Sequence, residues 1–278
     1  MNHFEFSLLT LLGAIVAGLL GSLTGLGGGV VITPMLTLLF GVDIRYAIGA
    51  SLVTVIATSS GAAAAYVKEG FTNIRVGMFL EVATTFGALI GAGLAGIISP
   101  HVIAVIFGLV LIYSSIATLN PPAEIADGTP SDPLAQKLRL GNTYPTAGGK
   151  KTYSVHKVGT GFSLMTFAGV LSGLLGIGSG ALKVLAMDRL MRLPFKVSTT
   201  TSNFMIGVTA AASAGVYLHR GYIDPALAFP IMLGTLGGAT FGSRVLPKTR
   251  NKTLRILFSI VIFGLAAEMI YNGLAGKL

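Results

Sequence analysis

Two glycine clusters, Gly25-Leu26-Gly27-Gly28-Gly29 and Gly176-Ile177-Gly178-Ser179-Gly180, interrupt apolar sequence, and Lys183 follows the second by three residues. Glycine permits positive φ angles and close backbone approach, so each cluster predicts a break between two helical pieces. The pieces beginning near Val30 and Ala181 would point N–H groups and positive dipole ends at such a break, a chemistry suited to anions. Lys183 lies in apolar surroundings, where a charge is expensive and usually functional. It is expected to contact substrate or to make a cavity positive; its alternative is a structural pair with Asp188 or a snorkelling stem. The run Ser198-Thr199-Thr200-Thr201-Ser202-Asn203 and its first-half counterpart, which holds Ser51 and Thr54, offer hydroxyl and amide donors for an oxyanion. Ser51, Ser202 and Asn203 are the candidates there, against helix capping by Ser198 or Thr199. Glu81 and Glu268 are acids within apolar spans and suit a coupling proton, although Glu81, five residues inside its helix, could simply reach the interface.

Glycines also serve close helix packing in lipid. Gly18, Gly21 and Gly25, and likewise Gly169, Gly173 and Gly176, fit that role. Three adjacent glycines face all round a helix and weaken it by roughly 1 kcal/mol each relative to alanine, so Gly27, Gly28 and Gly29 read as a break. An intramembrane serine hydrolase built on Ser179 and His219 is disfavoured, because Ile177 stands where a Gly-x-Ser-Gly motif would have glycine. An anion-selective channel is the nearer rival to a transporter, since glycine breaks also build ion filters.

These residues need a membrane around them. The chain is 53% hydrophobic and 10% charged, with a mean hydropathy of +0.80, where a soluble domain carries about 25% charged residues. A soluble enzyme is excluded, and an all-α polytopic membrane protein is expected. Its 38 glycines show no collagen period. The absence of cysteine removes disulfides, thiolate metal sites and thiol chemistry; no cofactor or metal is expected. The charge of +9 is read as a device of membrane orientation rather than as a nucleic-acid footprint. With no basic segment ahead of the first apolar stretch, that stretch is expected to stay as a helix.

Apolar runs near Phe6 to Leu23, Ala47 to Tyr66, Val76 to Ile98, His101 to Leu119, Gly161 to Leu175, Thr199 to Leu218, Pro225 to Ser243 and Leu254 to Leu274 predict spans. Val30 to Phe40 and Ala181 to Met191, about 11 residues each, cover half a bilayer at 1.5 Å per residue and are expected as half-helices, whether completing a crossing or re-entrant. Proline-rich, charged residues 120–160 predict a loop or small lobe between membrane repeats 1–119 and 161–278. A shift of 151 residues carries Gly18, Gly25, Gly27, Gly29, Ser51, Tyr66, Gly70, Gly87 and Gly91 onto Gly169, Gly176, Gly178, Gly180, Ser202, Tyr217, Gly221, Gly238 and Gly242. The chain is expected to be an internal duplication. With five segments per half the second repeat is inverted, and 15 of the 19 Lys and Arg fall on one side, leaving Arg45, Arg220 and Lys277 opposite and Lys183 within. The positive-inside rule then expects both termini outside and the central lobe in the cytoplasm. Two glycine breaks, one per inverted half, are expected to meet near the midplane, the layout of a secondary transporter.

Three stretches carry a resemblance: GLLGSLTGLGGGVVITP from Gly18 to Pro34, VLSGLLGIGSGALKV from Val170 to Val184, and TTTSNFMIGVTAAASAGVY from Thr199 to Tyr217. They resemble the TauE/SafE family of sulfite and organosulfonate exporters, over nearly the whole chain. The resemblance implies a bacterial inner-membrane permease moving sulfite, sulfoacetate or related organic acids, commonly outward. Ser179 departs from the pattern of the first cluster, where Gly28 stands. The implied partners are a small anion and the lipid bilayer, with no nucleic acid; a homodimer is left open.

Overall fold

Long runs of Ala, Leu, Ile, Val and Gly leave the backbone to satisfy its own hydrogen bonds, and in lipid only the helix does so within one segment. The computed structural model describes residues 3–24, 28–119, 131–146, 149–245 and 251–276. Its helices are α1 (His3–Thr24), α2 (Gly29–Pro34), α3 (Ile44–Lys68), α4 (Ile74–Leu94) and α5 (Pro100–Leu119). The second half supplies α7 (Val158–Leu175), α8 (Gly180–Leu185), α9 (Phe195–His219), α10 (Pro225–Val245) and α11 (Asn251–Leu274). Between the halves lie the short helix α6 (Pro133–Lys137) and a hairpin of β1 (Asn142–Thr146) and β2 (Gly149–Tyr153). Among the described residues, four helices, within α1, α4, α7 and α10, are long and apolar enough to cross a membrane. The protein is an all-α polytopic membrane protein.

The 151-residue shift survives as structure. Ile44–Lys68 maps onto Phe195–His219 and Ile74–Leu94 onto Pro225–Val245 without a residue of slippage. α2 runs into a π-turn at Met35–Leu39 and α8 into one at Ala186–Leu190, again at the same offset. The bond from Val42 N to Leu36 O recurs as Leu193 N to Met187 O. Pro34 stands before the first π-turn and Leu185 before the second, so the shared geometry does not depend on proline.

The halves interlock. α1 lies along α10 and α7 along α4, with glycines carrying backbone against backbone. A Cβ at Gly18 would stand 2.2 Å from the Thr235 carbonyl oxygen, and one at Gly238 2.0 Å from that of Ile15. Gly91 and Gly173 approach Val170 O and Ala88 O in the same way, at 1.9 and 2.0 Å. Gly18, Gly169 and Gly173 are thus packing glycines. α3 packs on α9 and α5 on α11, each helix against its own counterpart. Ser115 with Ser259 and Gly108 with Ile270 make α5 and α11 antiparallel. Asn73, just past α3, meets Thr201 near the start of α9, while Tyr46 near the start of α3 meets Tyr222 past the end of α9. α3 and α9 are antiparallel too.

Residues 131–157 dock on one end of the bundle. Asn73 caps α4 by accepting from Val76 N, and its amide donates to Leu140 O and to the Tyr153 hydroxyl. Burial pushes the Tyr153 phenol up to about 12, against a smaller opposing pull from Asn73. Ala135, Leu140 and Val155 join a core with Val76, Leu80, Met187 and Val197. Arg75, Arg139 and Lys196 gather at this end, whereas Arg45 and Arg220 lie at the other, on the carbonyls of Ile98 and of Ala92 and Gly93.

Candidate functional site

The second glycine break is built from left-handed backbone. Gly176 and Gly178 have φ +67° each, and Ser179 follows at φ +50°, strained for a residue with a Cβ. Gly28 is right-handed at φ −63° and accepts from Val31 N and Ile32 N. Gly25 and Gly27 lie outside the described residues. At the shared position of Gly28 and Ser179 the two clusters are not conformational copies.

The breaks meet on α3. A Cβ at Gly29 would lie 2.5 Å from Ser51 Oγ, 2.6 Å from Val55 Cγ2 and 2.9 Å from the Gly176 carbonyl oxygen. Ser51 Oγ donates to that same carbonyl at 2.8 Å, and a Cβ at Gly178 would stand 3.0 Å from Val55 Cγ1. Val55 thus touches both clusters. Gly28 looks elsewhere, toward Thr235 and Ala17 at 3.4 and 3.5 Å, so it borders a helix contact. Across the site Ser202 Oγ donates to Gly180 O at 3.3 Å, and Ser59 Oγ donates to Asn203 O at 2.6 Å.

Several donors around this junction are buried without partners. Ser179 Oγ, Thr199 Oγ1 and Asn203 Nδ2 make no hydrogen bond. Buried polar groups are ordinarily satisfied, so these donors are open to an acceptor that a ligand or water would bring. Thr199 and Asn203 are one turn apart and share a face of α9. The capping alternative is not taken: Pro194 is the N-cap of α9, with no side-chain cap. Ser179 has no base beside it and His219 is exposed, which removes the hydrolase geometry.

Lys183 is fully buried, and its partner is Glu81 on α4 rather than Asp188, with Nζ 3.4 Å from Oε2. Thr209 on α9 closes the set: Nζ donates to its hydroxyl, which donates to Glu81 Oε1. Thr85 donates to Glu81 Oε1 at 3.1 Å. Glu81, 8% exposed, does not reach the interface but faces inward about 10 Å along its helix. Glu268 lies on an exposed face of α11, apart from this cluster. Thr209 is the residue that sequence reading missed. Its signal was the 151-residue offset, which maps Thr58 onto Thr209, Ile32 onto Lys183 and Met232 onto Glu81. One contact between the halves thus carries an ion pair, Lys183 with Glu81, where its counterpart positions, Ile32 and Met232, are apolar. Among the described residues no group of three potential metal ligands occurs.

Short helices entered through glycine, interlocked halves and a buried ion pair suit a membrane transporter. The chain matches the family described as "Sulfite exporter TauE/SafE" over residues 10–269, and it belongs to that family. It is 30% identical to "Probable membrane transporter protein YunE" of Bacillus subtilis, over 97% of this chain and 99% of the relative. It is 26% identical to "Probable membrane transporter protein YdhB" of the same organism, covering 88% and 94%. A relative from Methanocaldococcus jannaschii, "Probable membrane transporter protein MJ0441", is 26% identical over 94% and 95%. No solved structure matches the chain. The protein is a membrane transporter and not an enzyme; it works in the lipid bilayer on a small-molecule substrate.

Proposed function

We propose that this chain is a secondary transporter exporting sulfite or a small organosulfonate or other organic anion across the cell membrane. The observation that carries the reading is the junction of the two glycine breaks, where Ser179 and, on α9, Thr199 and Asn203 are buried donors without partners, and where the buried Lys183 lies one turn beyond Ser179 on α8. An oxyanion would accept from donors such as these at the junction, and Lys183, held by Thr209 six residues beyond Asn203 on α9, would supply a charge further along its path. Ser51, Ser202 and the backbone of Gly29, Gly176, Gly178 and Gly180 frame the same junction. The family description supports sulfite and the outward direction.

The antiparallel crossing of α3 with α9 and of α5 with α11 is what an inverted repeat produces, and it supports alternating access around a central site. Arg75, Arg139 and Lys196 clustered with residues 131–157 support a cytoplasmic lobe and outer termini. Purified protein in liposomes tests the function. Labelled sulfite and sulfoacetate should enter saturably and exchange with internal anion, while lactate serves as the organic-acid comparison. Single-channel current in place of saturable exchange would make it a channel, and no flux of any of the three would refute anion transport.

A further inference from the structure

Lys183 has one counter-charge, and that counter-charge decides what an arriving anion must do. From α8 the titratable group facing Glu81 is Lys183; α9 contributes Thr209 and carries no ionisable side chain between Lys196 and Tyr217; α7 carries none at all. On α4 itself Arg75 lies outside the site, on Arg139 O. Among the described residues the pair is electrically neutral and isolated. A monovalent anion that docks on Lys183 leaves a net negative charge in a low-dielectric interior unless the carboxylate it displaces is neutralised.

We propose that anion and proton bind together in this transporter, one for one: the anion takes the Lys183 ammonium from Glu81, and Glu81 takes up a proton. This coupling presupposes that the chain carries anions. The step balances. An ammonium–carboxylate pair plus an anion plus a proton becomes an ammonium–anion pair plus a carboxylic acid, with no covalent bond broken. Thr209 holds the exchange together, because its hydroxyl already bridges Nζ and Oε1 and can keep the released acid in reach. Thr85 joins Glu81 toward the less buried side of α4, which gives the carboxyl a hydrogen-bonded neighbour for proton entry. Empty and loaded transporter are both neutral at the site, so a monovalent substrate moves without net charge and a divalent one carries a single negative charge; a proton leaves with each exported anion, so export runs down the anion's own gradient and not on an inward proton gradient.

The test uses the full chain in proteoliposomes, with isethionate, a sulfonate holding one negative charge at any working pH, and sulfite as second probe. Valinomycin with potassium sets the membrane potential independently of the pH gradient. At equilibrium a one-unit pH gradient should hold isethionate about tenfold higher on the alkaline side, and an imposed potential alone should drive none. Flux that follows potential and ignores pH overturns the coupling while leaving anion transport standing. Absence of flux for both probes overturns the transport reading and the coupling with it. Glu81→Gln should convert isethionate uptake from pH-driven to potential-driven. A Lys183→Ile/Glu81→Met double variant copies the apolar residues at the equivalent positions Ile32 and Met232, so it tests the charges without a packing clash. It should fold and bind neither probe; anion binding equal to the parent's would overturn the proposal.

Discussion

Taking the charge from Lys183 alone strands the Glu81 carboxylate among apolar helices, and breaking a buried pair by one partner costs about 3–5 kcal/mol. Lys183→Met is therefore expected to lower the thermal unfolding midpoint in detergent as well as to abolish anion binding, and the Lys183→Ile/Glu81→Met pair should recover most of the stability. A double variant no more stable than Lys183→Met would mean that the stranded carboxylate is not what costs Lys183→Met its stability. Glycines divide in the same manner. Gly29→Ala drives a methyl into Ser51 Oγ and Val55 and should stop transport with a loss of about 1–3 kcal/mol, whereas Gly28→Ala meets nothing closer than 3.4 Å and should transport nearly as the parent does. Equal damage from both would remove the contrast between break and packing glycine. A lysine three residues beyond a glycine cluster stood out from its apolar setting alone. Its partner was not, because Glu81 lies 102 residues away on another helix and nothing local in either segment announces the other.

At the scale of elements, the spans, both half-helices and the duplication offset could be read from hydropathy and glycine spacing, since each is a property of consecutive residues. Which helix faces which could not. The pairing of α4 with α7 depends on glycines in two segments fitting one another's backbones, and small residues look alike wherever they point. Gly91→Val sets side-chain atoms where Val170 O lies 1.9 Å from the Cβ position and should prevent a monodisperse species on size-exclusion chromatography. Gly93→Val, two residues on with open space beside it, should elute as the parent. The lobe was visible only as a polar interruption, and its attachment through Asn73 had no sequence signal. Tyr153→Phe removes the hydroxyl that accepts from Asn73 and should raise protease sensitivity in residues 131–157. Since burial holds the phenol protonated up to about pH 12, its folded value is raised; the stabilisation is complete below about pH 10, the ordinary tyrosine value, and fades as pH rises through 12.

For the whole molecule, the grouping of cations at one end fixes an expected orientation. The chain has no cysteine of its own, so single cysteines report cleanly. Lys150→Cys should be protected from an impermeant maleimide in intact cells, and His219→Cys should react. The opposite pattern would reverse the topology, turning the lobe to the outside. Interlocking carries a second expectation: residues 1–119 made alone should fail to form a stable species, and co-expression with residues 120–278 should restore one.

The same interlocking makes synthesis a matter of waiting. Gly18 closes on Thr235, so α1 leaves the ribosome with its glycine face exposed to lipid while roughly 200 residues are still to be made. At about 5–20 residues per second that is roughly 10–40 s, far longer than helix formation itself. During that interval α1 has no partner of its own chain to cover the groove that α10 will fill. An insertion factor that shelters small-residue faces until the last fifth of the polypeptide arrives would set the yield of this protein, and slowing translation downstream of α4 should lower it.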